Sequence, residues 1–147
     1  MIETIAIHTL EELDAFVLRV IERCRALSTE SATVIALSGD LGAGKTTFVQ
    51  TLARHLGVTE TVTSPTFIIL KQYETTDAQW PTLLHMDAYR IESVSELAPL
   101  RFSEFLQQSH TLFCIEWAEK ISATLPRSLV TIQLEIQKNG QRIAQVF

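Results

Sequence analysis

Gly39-Asp40-Leu41-Gly42-Ala43-Gly44-Lys45-Thr46-Thr47 fits the phosphate-loop pattern G-x-x-x-x-G-K-[ST] at Gly39, Gly44, Lys45 and Thr46. Its flanks turn a short pattern into a structural unit. Before it runs Ala32-Thr33-Val34-Ile35-Ala36-Leu37, apolar and β-branched, the composition of a parallel strand buried on both faces. After it, Phe48, Val49, Leu52, Ala53 and Leu56 recur on one helical face, and Gly57 stops the helix. Strand, glycine-rich turn and helix together aim backbone N–H groups into one concavity at the positive end of a helix, where phosphates bind. Lys45 is then placed to reach the β- and γ-phosphates of a nucleotide. The Thr46 hydroxyl offers an oxygen to Mg2+, a hard cation. Asp40, Leu41, Gly42, Ala43, Gly44 and Thr47 form the rest of this nucleotide-binding loop.

The chain has 147 residues, enough for one domain with a real core and too few for two ordinary ones, so residues 1–147 are expected to form a single domain. Apolar residues make up 46%, the globular norm, which excludes a disordered or fibrous class. The formal net charge is −5 and no basic run interrupts the acidic balance, which argues against free-standing nucleic-acid binding. No basic region leads into an apolar stretch at Met1-Ile2-Glu3-Thr4, and no segment reaches membrane-spanning length. A cytoplasmic location is expected. Cys24 and Cys114 read as core thiols, and His8, His55, His85 and His110 have no metal-ligand spacing.

Ile2, Ile5 and Ile7 suggest a first strand, and Thr9-Leu10-Glu11-Glu12 has the form of a capping box opening an amphipathic helix to about Leu27. Beyond the phosphate-loop helix, Ser64-Pro65-Thr66-Phe67 is a loop, because the proline holds Ser64 away from helix. Ile68 to Tyr73 and Thr82 to Met86 read as an antiparallel strand pair. Ser93 to Gln108 is helical with a break at Pro99, Leu112 to Ile115 is a buried strand, and a short helix follows from Ala118 to Ala123. Ser128 to Ile136 and Gln141 to Phe147 alternate as strands, joined at Lys138-Asn139-Gly140, where Asn-Gly signals a hairpin. The expected fold is α/β, a P-loop NTPase-like three-layer sandwich whose mixed central sheet includes antiparallel hairpins.

Turnover of a bound nucleotide needs an acid near the metal and a group to position water. Two strands end on carboxylates where ligands of open α/β sheets gather: Leu112 to Ile115 delivers Glu116, and Leu83 to Met86 delivers Asp87. Glu116 is either a Mg2+ ligand or a surface acid where the strand leaves the core. Asp87 either orients or deprotonates water, or caps the turn that follows. Thr66 either meets the γ-phosphate from a movable loop or is an ordinary polar loop residue. Trp117 packs beside the nucleotide or closes the core, and Tyr89 and Arg90 are candidates for the same rim.

Gly39 to Thr47, Ser64-Pro65-Thr66-Phe67, His85-Met86-Asp87-Ala88-Tyr89-Arg90 and Ile115-Glu116-Trp117-Ala118-Glu119-Lys120, in this order and at these distances, resemble the bacterial TsaE (YjeE) family over nearly the whole chain. The resemblance implies a small P-loop ATPase that takes part in making N6-threonylcarbamoyladenosine (t6A) at tRNA position 37. It also implies that the chain acts with a TsaB–TsaD complex, in which TsaD carries the transfer chemistry and ATP hydrolysis resets the complex between turnovers. In that reading tRNA is held by the partners. Carried over by matching motif, Lys45 contacts phosphates, Thr46 and Glu116 hold Mg2+, and Thr47 and Asp87 are needed for hydrolysis. Two positions depart from the family pattern: Ala88 stands where leucine is usual, and Ala118 where proline often follows the tryptophan.

Two other functions share the motif. A small-molecule kinase would need an acceptor site and usually an arginine-bearing lid, and no arginine-rich lid is visible between Asp87 and Leu112. A nucleotide-gated binding module would need no hydrolysis. For the ATPase, Lys45→Ala and Glu116→Ala are each expected to abolish turnover while sparing the fold.

Overall fold

A computed structural model describes residues 3–27, 30–65, 69–126 and 129–147. Its strands are β1 (Glu3–Ile7), β2 (Thr33–Ser38), β3 (Leu70–Glu74), β4 (Thr82–Asp87), β5 (Thr111–Glu116), β6 (Leu129–Ile136) and β7 (Arg142–Val146). They form one sheet in the order β1-β7-β6-β2-β5-β4-β3. β2 pairs in parallel with both β5 and β6, and β4 pairs in parallel with β5. The pairs β1–β7, β6–β7 and β3–β4 are antiparallel, so the expected mixed sheet is what the chain builds.

The alternation of side chains divides the core in two. On β2, Ile35 and Leu37 face helices α1 (Leu10–Arg25) and α2 (Lys45–His55). Val34 and Ala36 face the opposite layer, which contains α3 (Phe102–Leu106) and two 3-10 helices, Val94–Leu100 and Ala118–Thr124. A strand covered on both sides explains why the run before the phosphate loop carries no polar alternation. Cys24 and Cys114 are both free and buried in the α1/α2 layer, and burial pushes the Cys24 thiol up to about 12. No helix among the described residues is long and apolar enough to cross a membrane.

Local chemistry departs from expectation at two joints and meets it at a third. Thr9 does cap α1, its hydroxyl accepting from the Glu12 N–H at 3.1 Å, but the Glu12 carboxylate returns to the His8 N–H at 2.9 Å. The helical stretch expected to break at Pro99 carries that proline inside the first 3-10 helix and breaks at Arg101, which takes a left-handed φ of 58°. At the last hairpin, Gly140 alone has positive φ (84°) and its N–H donates to Gln137 O at 2.9 Å. That geometry is a three-residue loop, Lys138-Asn139-Gly140, with a bulge at glycine, so the expected hairpin forms where Asn-Gly signals it.

Candidate active site

β2 ends at Ser38 and the chain turns through the phosphate loop into α2. Gly39, Gly42 and Gly44 all have positive φ, at 137°, 81° and 106°. Gly44 caps α2 without a side-chain hydrogen bond, so the first N–H groups of the helix are open to an anion. Lys45 is buried. Its Nζ donates to the carbonyls of Gly39 at 2.5 Å and Asp40 at 2.9 Å, and lies 4.2 Å from the Trp117 ring centroid. Burial holds the Lys45 ammonium below its ordinary value, against the pull of the nearby carboxylates of Glu116, Glu119, Asp87 and Asp40. Burial likewise pushes the Glu119 carboxyl up, opposed by Lys45.

β4 and β5 bring the two candidate acids to the same place. Their parallel register sets Asp87 directly beside Glu116, and both are buried. Burial excludes the reading of Glu116 as a surface acid. Its Oε1 accepts from the Thr46 hydroxyl at 3.1 Å, and its Oε2 lies 2.5 Å from His85 Nε2. Thr46 and Glu116 thus present hydroxyl and carboxylate oxygens at one point beside the phosphate loop, a donor set that suits Mg2+. Asp87 caps the turn that follows, its Oδ1 accepting from the Tyr89 N–H at 2.9 Å, while its Oδ2 accepts from the Ser64 hydroxyl at 3.4 Å. The Ala88 N–H donates to the Glu116 carbonyl at 3.0 Å, and the buried Ala88 methyl packs in the second core, so the turn after Asp87 is tied to the end of β5.

A cavity of about 560 Å³ opens over these groups. Leu41, Gly42, Ala43, Gly44, Lys45, Thr46, Thr47, Asp87, Tyr89, Glu116 and Trp117 line it. Asp40 does not; its side of the loop is exposed, and its carbonyl serves Lys45. Thr66, with Phe67 and Ile68, lies outside the described residues. Trp117 and Tyr89 pack with ring centroids 5.1 Å apart, and the Lys120 ammonium donates to Tyr89 O at 2.6 Å, closing one side.

Ser64 lines the cavity beside Asp87, and the rest of the lining comes from residues to which sequence reasoning gave no role in the site: Ile7, His8, Thr9, Leu10, Leu13, Leu134 and Arg142. They converge because β6 joins β2 and β7 joins β1, pairings that no local pattern announces. His85 was missed for a different reason. Scanning for metal-ligand spacing passes over it, whereas strand alternation puts it on the same face of β4 as Asp87, looking toward Glu116.

A family model described as "Threonylcarbamoyl adenosine biosynthesis protein TsaE" matches residues 7–144. Curated relatives named "tRNA threonylcarbamoyladenosine biosynthesis protein TsaE" include that of Treponema pallidum, 39% identical over 77% of this chain and 80% of the relative. That of Bacillus subtilis is 39% identical over 83% of this chain and 72% of the relative. Among solved structures, Bacillus subtilis YdiB superposes with a TM-score of 0.73 at 27% identity, covering 99% of this chain and 84% of the other. The family match thus runs along almost the whole sequence, and the chain belongs to the TsaE family.

Proposed function

We propose that residues 1–147 form one P-loop ATPase domain that hydrolyses ATP to ADP and phosphate, with Mg2+, in the making of t6A at tRNA position 37. It is weak alone and acts in the cytoplasm with a TsaB–TsaD complex, which holds the tRNA and which hydrolysis resets between turnovers. The observation that carries this reading is the meeting of Lys45, Thr46, Asp87 and Glu116 at one cavity whose size suits a nucleotide. The curated relatives' names support the pathway.

The chain's own groups divide the work. Backbone N–H groups from Gly42 to Thr46 receive the phosphates. Lys45 exchanges the Gly39 and Asp40 carbonyls for phosphate oxygens, which suits an ammonium that burial has left short of counter-charge. Thr46 and Glu116 would hold Mg2+, which neutralises charge on the phosphates. Asp87, held by Tyr89 N–H and Ser64, orients the attacking water and accepts its proton, with Thr47 at the same wall. Trp117 covers the phosphate end, Asp40 and Leu41 belong to the phosphate loop, and Thr66 is assigned to nucleotide binding from the sequence alone.

The test is phosphate release by variants. Glu116→Ala would strip the partner from buried His85, whereas Glu116→Gln keeps the volume and separates loss of charge from loss of packing. Lys45→Ala and Glu116→Gln should each lower turnover by about a hundredfold or more, the usual scale for losing one charge-stabilising group. Unfolding midpoints should stay near the parental value. Parental turnover in either variant would remove its assigned role.

A further inference from the structure

His85 is the fully buried residue that ATP turnover, as described, leaves without a task. It stands on β4 opposite Cys114 of β5, two residues before Glu116 and on the same face, so its ring leans along the sheet toward that carboxylate. Leu83, Leu112 and Cys114 belong to the apolar core of this face. An imidazole is a costly choice there, because an aliphatic side chain would fill the site without burying two polar nitrogens. Nδ1 has no hydrogen-bond partner among the described residues. The fold thus gains little from this histidine. Among the described residues its polar contact is with Glu116 Oε2, at 2.5 Å.

We infer that His85 is a positioning residue that fixes the carboxylate plane of Glu116 for cation binding. The inference rests on the reading of Thr46 and Glu116 as cation ligands. The terminal torsion of glutamate is intrinsically loose. A carboxylate oxygen only accepts, so Nε2 carries the hydrogen and pins Oε2. With Oε2 held, Oε1 stays on the side of Thr46, 3.1 Å from its hydroxyl, against 3.5 Å for Oε2. Two oxygens from different elements are thereby pre-aimed at one point, which lowers the ordering cost of taking up a divalent cation.

The test is binding of the non-hydrolysable analogue AMP-PNP, measured calorimetrically over a series of free Mg2+ concentrations and again in EDTA. For the parental chain, affinity should tighten with Mg2+. His85→Leu should raise the Mg2+ needed for half of that tightening by about tenfold, the scale typical of lost outer-shell partners. Affinity in EDTA should stay within roughly twofold, since no phosphate donor has been touched. His85→Gln places an amide nitrogen near the position of Nε2 and should stay within about threefold of the parental Mg2+ requirement, while the shorter His85→Asn should behave like the leucine variant. If the leucine variant does not fold, the glutamine and asparagine pair carries the comparison. A parental Mg2+ requirement in His85→Asn, or equal weakening with and without Mg2+, would overturn the positioning role. A parental chain whose affinity ignores Mg2+ would instead overturn the metal reading of Thr46 and Glu116.

Discussion

Gly39 is the tightest residue of the site. A Cβ built on it would stand 2.2 Å from the carbonyl oxygen of Leu134 on the neighbouring β6, and its φ of 137° is one that side chains rarely adopt. The phosphate loop leaves the sheet by passing hard against β6 backbone, which has no flexible end to yield. Gly39→Ala should therefore destabilise the fold by about 2 to 3 kcal/mol, from strain plus the shift of a strand. Gly42→Ala meets nothing within 4 Å and should cost less, mostly its positive φ of 81°. Chemical denaturation of the two variants measures the difference; equal losses would contradict the assigned contact. Residues with their own local signal were legible in the sequence at this scale. Lys45 and Thr46 sit inside a motif, and Asp87 and Glu116 end apolar strands. His85 was not, because its meaning depends on which strand lies beside β4.

Elements were legible where periodicity is long and obscure where a tertiary contact decides. The segment between β3 and β4 reads in sequence as a polar link, yet Trp80 is fully buried and its Nε1–H donates to Thr33 Oγ1 at 3.2 Å. Asp77 organises that link: Oδ1 accepts from the N–H groups of Gln79 and Trp80, both at 3.0 Å, and Arg25 at the end of α1 donates to both carboxylate oxygens. The Arg25 hydrogen bond holds the Asp77 carboxyl below its ordinary value, with burial opposing and the turn N–H groups assisting. A depressed carboxyl contributes stability that is present above its unfolded value and lost as pH falls through its folded value. Asp77→Asn should thus cost about 1 to 2 kcal/mol at neutral pH. The gap to the parental chain should shrink once pH drops below about 4. A gap that does not change between pH 7 and strongly acid conditions would show that the charge on Asp77 contributes nothing.

For the whole molecule, the mixed sheet and its final hairpin followed from strand composition and the Asn139-Gly140 signal, whereas the pairing of β1 with β7 did not. That long-range pairing supplies one wall of the cavity, which is why the phosphate end of the site was legible and the opposite end was not. The net charge of −5 argues against free-standing tRNA binding, in keeping with the proposal that partners hold the tRNA. The most direct measurement is phosphate release from ATP by the purified chain, with and without Mg2+, alone and after addition of a cognate TsaB–TsaD complex. Slow, Mg2+-dependent release that rises with the complex and is lost in Lys45→Ala is the result this account predicts. No release in either setting, or transfer of phosphate to a small metabolite faster than to water, would contradict it.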